Sequence, residues 1–320
     1  MASLPEDSDR LPVKRFKRVA VFANPTSGGG KVLKLLPRIE QMLHERGLAA
    51  DIFLTSSAVD LESQVRREAD SGADLLVSAG GDGTLHSLVN AAFGKNVVFG
   101  IVPAGGGNDF ARALGLPLQP FEAFEAALSG ELRSVDVVKV TCISTGSERF
   151  YLGGGGVGID SDAAQLSNER LRKWPGRLRY IAAAILGFSK YAPRRVRIFV
   201  HESSEEFPFQ KAVIASVLNT PTFGAGIRLL PEARIDDGLL DVAVREDLRL
   251  SELLRMLPRL IWTGSLKLPG LRTFRARRMR IETDPPVLFQ GDGELLGYTP
   301  VEVEVMPGGA KFLVPKQTEG

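Results

Sequence analysis

The chain has 320 residues, of which 44% are hydrophobic and 24% charged, the composition of an ordinary soluble globular protein with room for two domains. Its 40 basic and 38 acidic residues leave a net charge of only +2, so the overall charge gives no reason to expect binding to nucleic acid. The single cysteine, Cys142, excludes an intrachain disulfide framework and a metal site made of several cysteines.

The sequence predicts neither a signal peptide nor a membrane span. The first residues show no basic region followed by an apolar one, and the polar residues 1–15 predict a flexible tail. The longest apolar run, Ile181 to Phe188, is far below the ~18–20 residues needed to cross a bilayer. We therefore expect a cytoplasmic protein, peripheral at most at the inner face of the membrane.

Strands and helices alternate through the first 134 residues. The pattern predicts strands at 19–23, 51–55, 73–77 and 97–102, with amphipathic helices at 32–46, at 61–69 and over the stretch from Leu85 to Phe93. This alternation favours an α/β domain over residues 16–134, a doubly wound and mostly parallel sheet with helices on both faces.

The second half of the chain is mainly β. Strands are predicted at 135–140, 150–152, 195–200, 211–218, 239–244, 278–281, 287–289 and 301–305, with helices only at about 162–171, 178–190 and 251–263. Such a run of strands indicates a C-terminal antiparallel β-sandwich domain over residues 135–307.

Glycine-rich loops follow three of the predicted strands, at Ser27–Lys31, Gly80–Thr84 and Gly105–Asp109. The carboxyl ends of parallel strands share one rim of a sheet, where α/β proteins bind ligands. Small residues before a helix N-terminus suit a phosphate. Asp82 would repel phosphate alone, so it suggests the Mg²⁺ that accompanies a nucleoside triphosphate. Each loop alone is also explained as a tight turn that starts a helix.

Two familiar nucleotide motifs are missing. A Walker A loop requires a glycine where Pro25 stands and a Ser or Thr where Val32 stands. The first strand is not followed by the glycine pattern of a dinucleotide-binding fold either. The loop with Lys31 can still hold phosphate, or can be an ordinary helix start with a solvated lysine.

Acidic turns in the second half complete the candidate chemistry. Asp236 and Asp237 precede one predicted strand, and Asp292 and Glu294 follow another. Turns favour Asp and Gly for local reasons. If these turns face the glycine loops, however, their carboxylates could hold Mg²⁺ and take a proton from a hydroxyl, which is what phosphoryl transfer needs.

Five motifs in this order resemble those of the diacylglycerol kinase catalytic-domain family, which includes bacterial diacylglycerol and related lipid kinases and also sphingosine and ceramide kinases. They are Asn24-Pro25-x-Ser27-Gly28, Gly80-Gly81-Asp82-Gly83-Thr84, Pro103-x-Gly105-x-x-Asn108-Asp109, Pro231-x-Ala233-x-x-Asp236-Asp237-Gly238 and Asp292-Gly293-Glu294. The resemblance runs from Arg18 to Pro315. It implies a phosphofructokinase-like ATP domain to which residues 308–318 return, a β-sandwich domain, and a cleft between them.

The resemblance also implies roles for individual residues. The ATP contacts would be Asn24, Ser27, Thr55, Gly80, Gly81, Asp82, Gly83, Thr84, Leu85, His86, Gly105, Gly106, Asn108 and Asp109. Glu294 would accept the proton, with Asp82 and Asp292 as further catalytic carboxylates. Asp237 and the backbone oxygens of Arg234 and Leu239 would hold a structural Mg²⁺. Two departures are Gly106, where the family commonly has Thr, and Gly153–Gly156, where it often has Asn.

The main hypothesis is a kinase that uses ATP and Mg²⁺ to phosphorylate a lipid hydroxyl at the membrane surface, with no nucleic acid partner. The stretch from Arg170 to Arg197 has nine basic residues and no acidic one; it could lie on anionic lipid or be a helix with a solvated face. A kinase similar to NAD kinase and a nucleotide-binding regulator without activity are the alternatives. The oligomeric state stays open, and a homodimer is compatible with the sequence.

Overall fold

The computed structural model describes residues 16–158, 193–223, 226–266 and 268–316. The predicted flexible tail at 1–15 and the predicted helices at 162–171 and 178–190 lie outside these residues. The chain forms two compact units. The first contains Leu114–Val135 and the described parts of Met1–Gly105 and Gly309–Gly320; the second contains Gly106–Ala113 and the described parts of Asp136–Gly308.

The helices and strands of the described residues are, in chain order, β1 Val19–Ala23, α1 Val32–His44, β2 Ala50–Leu54, α2 Ala58–Asp70, β3 Leu75–Gly80, α3 Asp82–Ala92, β4 Val98–Pro103, α4 Asp109–Ala113, α5 Pro120–Leu128, β5 Glu131–Cys142, β6 Glu148–Tyr151, β7 Gly154–Gly158, β8 Arg194–Val200, β9 Glu205–Leu218, β10 Thr222–Phe223, β11 Ile227–Arg228, β12 Leu240–Glu246, α6 Leu250–Thr263, β13 Arg272–Ala276, β14 Arg278–Asp284, β15 Leu288–Gly291, β16 Glu294–Tyr298 and β17 Val301–Val314.

The first unit is built on a parallel sheet in the order β2–β1–β3–β4–β17. All five residues of β1 and all six of β3 are buried, as expected for strands covered by helices on both faces. The chain moves from β1 outward to β2 and then returns to the other side of β1 with β3. The predicted α/β architecture is therefore confirmed, and its strand order reverses between β1 and β3.

The second unit is antiparallel. Its main strand order is β16–β15–β7–β9–β8–β14–β17, and β12 pairs with β9 and β13. Its core is apolar and contains the rings of Tyr151 and Phe289. The predicted antiparallel domain is confirmed, although β7, β10, β11, β13 and β16 are strands that the sequence analysis did not predict.

Strand β7 shows why a strand made mostly of glycine is hard to predict from the sequence. It consists of Gly154–Gly158, with valine as its only side chain, between β9 and β15. A Cβ on Gly155 would lie 2.7 Å from the carbonyl oxygen of Gln290, and one on Gly156 would lie 2.8 Å from the Cα of Ser216. The glycines allow neighbouring backbones to approach closely.

Among the residues that the structure describes, no helix combines the length and the apolar character needed to cross a membrane.

Candidate functional site

In the first unit the predicted loops meet at the strand ends where the order reverses. The backbone N–H of Asn24 donates to the carbonyl of Ala79 at 3.2 Å, and that of Ala104 donates to the carbonyl of Gly80 at 2.8 Å. The loops after β1, β3 and β4 are thus joined by hydrogen bonds. In open α/β sheets the carboxyl ends at such a reversal form the crevice that binds ligands.

The loop after β1 is shaped by Asn24 and its glycines. The side-chain Oδ1 of Asn24 accepts hydrogen bonds from the backbone N–H and the hydroxyl of Thr26, at 3.0 and 2.8 Å. Ser27 begins a short 3-10 turn, in which Gly28 has a φ of +60°. A Cβ on Gly28 would come closer than 3.0 Å to the carbonyl oxygen of Ala104. Both the backbone conformation and the neighbouring loop therefore require glycine here.

Gly28→Ala is expected to destabilise this unit more than Gly29→Ala. Gly29 has a φ of +71° but open space around it, so its replacement costs about 1 kcal/mol of left-handed backbone strain. At Gly28 the clash with the Ala104 carbonyl should add roughly 1–3 kcal/mol. Urea unfolding of both variants measures the difference in the free energy of unfolding. Equal losses in the two variants would show that Gly28 of the loop after β1 does not contact Ala104 of the loop after β4.

The loop after β3 leads straight into α3. Gly81 is the N-cap, and its carbonyl accepts the N–H groups of Thr84 and Leu85 at 3.0 and 3.2 Å. A Cβ on Gly81 would lie 3.1 Å from the Cα of Gly105. The first turn of a helix carries N–H groups and the positive end of the helix dipole. Gly80, Gly81 and Gly83 add no side chains at this end, so an anion can approach the backbone beside the Asp82 carboxylate.

The predicted ATP contacts in this loop differ in exposure. Thr84, Leu85 and His86 are buried, whereas Asp82 is half-buried and Gly83 is exposed. Thr55, at the end of β2, is also buried, and its hydroxyl donates to the carbonyl of Ala23 at 3.3 Å. A ligand at this rim would therefore meet Asp82 and the backbone first, while the buried side chains support the loops.

Of the other predicted ATP residues, Gly105 belongs to the first unit, and Gly106, Asn108 and Asp109 belong to the second. Gly106 is exposed there, and Asn108 is buried with a left-handed φ of 54°. The backbone carbonyl of Asn108, the residue just before α4, accepts the N–H of Arg112 at 3.1 Å. The carboxylate of Asp109 accepts the backbone N–H of Gly226. This segment is thus fastened to the short β10–β11 hairpin by a charged hydrogen bond.

Asp292 occupies a tight hairpin turn between β15 and β16. Asp292 and Gly293 have φ values of 54° and 85°, which is typical of the two-residue type I′ turn that favours Asp-Gly. The Asp292 carboxylate accepts the N–H groups of Leu152 and Gly153, both at 2.8 Å. It therefore anchors the hairpin to the segment before β7. Glu294 starts β16 and is exposed.

Two buried amides near this hairpin were missed by the sequence analysis. Asn219 donates from Nδ2 to the carbonyls of Asp136 and Leu152, at 3.0 and 2.9 Å, and Gln290 Oε1 accepts the N–H of Gly293 at 3.0 Å. Within the described chain, Asn219 Oδ1 and Gln290 Nε2 are buried without a hydrogen-bond partner. The sequence held one signal for Asn219: it begins a polar pair, Asn219 and Thr220, directly after the apolar end of β9.

The predicted metal turn lies before β12. Asp136 holds its backbone, since its two carboxylate oxygens accept the N–H groups of Gly238 and Gly308 at 2.7 and 2.9 Å. Asp237 Oδ1 accepts the N–H of Leu239 at 3.1 Å. Arg234, the other residue proposed to contribute a backbone oxygen, has a largely exposed side chain 3.7 Å from Asp236.

Arg275 is a cation that the sequence analysis did not connect with this turn. Its Nε donates to Asp241 Oδ1 at 2.8 Å, and its Nη1 lies 3.5 Å from Asp237 Oδ2. Burial raises the pKa of Asp241, and the hydrogen bond and charge of Arg275 oppose that rise. The guanidinium thus balances two carboxylates of the turn.

The oxygen atoms around Asp237 are of the chemical type that binds Mg²⁺. This ion is commonly held by one or two carboxylates together with waters and other oxygens. Asp237 offers a half-buried carboxylate, and the buried Oδ2 of Asp241 accepts no hydrogen bond within the described ranges. Because Arg275 already brings positive charge, a metal ion here would share the carboxylates with it.

Arg275→Met is expected to lower the free energy of unfolding by about 1–2 kcal/mol at neutral pH, between the values for exposed and buried ion pairs, since the arginine is partly solvated. Loss of the cation raises the pKa of Asp241 further, so the folded state takes up a proton more readily. The deficit should therefore grow as the pH rises above ~4 and shrink again on acidification.

Urea unfolding of Arg275→Met between pH 4 and 8 measures this effect. Arg195→Met is the matched control, because Arg195 pairs with Asp284 at 3.7 Å in a pair whose side chains are 69% and 75% exposed. A deficit for Arg275→Met that does not change with pH would contradict the role given to Asp241.

Two family models match the chain in succession. Residues 18–140 match the diacylglycerol kinase catalytic domain, and residues 155–314 match the YegS C-terminal NAD kinase β-sandwich-like domain. The matched segments correspond to the α/β and antiparallel parts of the fold.

Relatives and solved structures agree with this pairing of domains. A diacylglycerol kinase from Mycobacterium tuberculosis is 28% identical over 303 residues, 93% of this chain and 96% of its own. A Stenotrophomonas maltophilia protein named "Probable lipid kinase YegS-like" is 29% identical over 283 residues, 84% of this chain and 88% of its own. The crystal structure of a diacylglycerol kinase from Bacillus anthracis superimposes with a TM-score of 0.71 at 22% identity, over 94% of this chain and 97% of its own.

Proposed function

Since the chain belongs to the lipid kinase family that joins a diacylglycerol kinase catalytic domain to a YegS C-terminal domain, we propose that it transfers the γ-phosphate of ATP to a hydroxyl of a lipid. The observation that carries the proposal is the start of α3 at the reversal of the parallel sheet. There Asp82 stands among glycines whose backbones meet the neighbouring loops. Diacylglycerol is the first acceptor to test, because several relatives bear that name.

ATP is proposed to bind at the rim of the first unit, with its phosphates near the glycines of the loops after β1 and β3. Backbone N–H groups and a helix start suit phosphate oxygens. Asn24, Ser27, Thr55 and Gly105 would shape this rim, while a role in ATP binding for Gly106, Asn108 and Asp109 of the second unit stays a prediction from the family resemblance. The buried Thr84, Leu85 and His86 would act through the position of α3.

Mg²⁺ would neutralise charge on the phosphates when bound, with Asp82 as the nearby carboxylate. Asp237 and the backbone oxygens of Arg234 and Leu239 are proposed as a second, structural place for the ion. Asp292 would keep the β15–β16 hairpin in place through its two backbone hydrogen bonds.

Glu294 is proposed as the general base. Its carboxylate would take the proton of the lipid hydroxyl as that oxygen forms a bond to the γ-phosphorus. The bond from the γ-phosphorus to the bridging oxygen breaks, so the products are a phosphorylated lipid, ADP and a proton on Glu294. An exposed carboxylate at the start of a strand can release that proton to water afterwards.

A kinase similar to NAD kinase is the second candidate, favoured by the description of the C-terminal family model. It also shares the Gly80–Thr84 motif. The Asn24-Pro25, Asn108-Asp109 and Asp292-Gly293-Glu294 motifs instead follow the lipid kinase pattern, which is why the lipid reaction is preferred. A nucleotide-binding regulator without activity is less favoured, since both Asp82 and Glu294 are retained.

Transfer of label from γ-labelled ATP to a panel of acceptors tests the proposal. The panel contains diacylglycerol, sphingoid bases, phosphatidylglycerol and NAD, each with and without Mg²⁺. Label in a lipid is the expected result. Label in NAD alone would refute the lipid reaction, and ATP binding without any transfer would indicate the regulator.

A further inference from the structure

Helix α6 carries apolar side chains towards the core and also towards solvent. On its inner side Leu260 is buried and Met256 packs against a hydrophobic cluster of the second unit. Leu254 is 46% exposed, Pro258 is exposed and Trp262 is 89% exposed. A tryptophan that has so little contact with its own chain is unusual for a residue type that is highly buried on average.

The exposed apolar residues form one ridge. Leu254, Pro258 and Trp262 are spaced four residues apart, so they lie on successive turns of the same side of the helix. Arg255 and Arg259 follow them by one residue each and border the ridge. We call these five residues the α6 ridge.

Both charged residues of the α6 ridge are basic. Arg255 and Arg259 are exposed and form no ion pair within the described part of the chain. The acidic residue of the helix, Glu252, is engaged at its start, where its carboxylate accepts the N–H of Arg249 at 2.8 Å. Arg228, also exposed, lies beside the other end and donates its backbone N–H to Gly264 at 2.7 Å.

We propose that the α6 ridge docks on the surface of an anionic lipid bilayer. Tryptophan favours the boundary between headgroups and acyl chains, because its ring is apolar and its N–H is polar. Arginines beside an apolar helix face are attracted to anionic lipid. This inference rests on the proposed function, since an enzyme that acts on a lipid must meet its acceptor at such a surface.

The ridge is also connected to a segment of the proposed site within the same unit. At the end of α6, the backbone N–H of Arg228 donates to the carbonyl of Gly264 at 2.7 Å, and the N–H of Leu266 donates to the carbonyl of Arg228 at 2.9 Å. Arg228 belongs to the β10–β11 hairpin, and Gly226 of that hairpin donates to the carboxylate of Asp109. Docking of α6 therefore places the segment that carries Asn108 and Asp109 near the bilayer surface.

Cosedimentation with vesicles tests the docking without ATP. The vesicles are pure phosphatidylcholine or phosphatidylcholine with phosphatidylglycerol. The full chain should bind the anionic vesicles, and Leu254→Ser combined with Trp262→Ser should weaken that binding by about tenfold or more. Arg255→Glu with Arg259→Glu should weaken it at least fivefold for each arginine at low salt.

Two matched variants control for general surface effects. Val59→Ser removes another apolar side chain that is 80% exposed, on α2, and Lys34→Glu reverses an exposed cation on α1. Neither should change vesicle binding. In a Trp174→Phe background Trp262 is the sole tryptophan, and its emission should shift to shorter wavelength when anionic vesicles are added.

Unchanged vesicle binding by the Leu254/Trp262 and Arg255/Arg259 variants would overturn the docking surface, as would a Trp262 emission that does not respond. Self-association that depends on Trp262, with vesicle binding unaffected, would also overturn it and point to a second copy of the chain.

The docking surface and the proposed function fail in different ways. If only docking is wrong, the Leu254/Trp262 variant phosphorylates diacylglycerol in vesicles as well as the unchanged chain does. If only the lipid reaction is wrong, vesicle binding still depends on Trp262 while no lipid accepts label. With docking and reaction both correct, the variant loses activity on vesicles but keeps it on a water-soluble short-chain diacylglycerol.

Discussion

Glu294→Gln is expected to lower the turnover number about 10²–10⁴-fold, the range for loss of a general base. Glutamine has the same shape but cannot take the proton of the acceptor hydroxyl. Because Glu294 is exposed at the first residue of β16 and glutamine has the same shape, the substitution should leave the protein folded, with at most a small shift of the unfolding midpoint. The measurement is turnover with saturating ATP and diacylglycerol beside thermal unfolding.

Glu205→Gln is the matched control, since Glu205 is likewise an exposed glutamate at the first residue of a strand. It should keep full activity. If Glu294→Gln retains turnover within a factor of three of the unchanged chain, Glu294 is not the base.

Asp82→Asn is expected to reduce turnover by a similar factor for a different reason. Asp82 stands in the first turn of α3 beside the glycines proposed to hold the phosphates. Removal of its charge takes away the carboxylate proposed to face the Mg²⁺ that accompanies ATP. Activity should then need a higher Mg²⁺ concentration to reach its much lower maximum.

Loss of a negative charge in a first helical turn also costs about 0.3–1 kcal/mol of stability through the helix dipole. Glu122→Gln separates the two effects, because Glu122 is an exposed acidic residue in the first turn of α5. It should show the same small loss of stability with normal turnover. Normal turnover in Asp82→Asn at low Mg²⁺ would contradict a role for Asp82 near the metal.

The local pattern was sufficient to predict the fold class and most elements, while contacts between distant segments were not predictable. Strand β1 has the predicted bounds because a run of buried apolar residues followed by Asn-Pro is a local signal. Strand β7 was missed because a run of glycines shows no alternation of apolar and polar residues. Glycine is required there because the backbones of β9 and β15 approach β7 closely.

The candidate site shows the same division. Glycine loops after strands are visible in the sequence, and their position at the strand reversal follows from alternation of strands and helices. Arg275 lies 38 residues from Asp237, and Asp136 lies 102 residues from Gly238. No spacing rule connects such pairs; Arg275 comes close to this turn because β13 pairs with β12, where Arg275 lies opposite Asp241.

Strand β17 has a consequence for how the chain is made. Its early residues pair with β14, whereas Lys311 and Phe312 pair with β4, where the ring of Phe312 lies 5.3 Å from that of Phe99. During synthesis residues 16–135 leave the ribosome long before residues 309–314. Until then β4 is an unpaired edge strand of the N-terminal sheet. Unpaired strand edges of nascent chains are sites of aggregation or of chaperone binding.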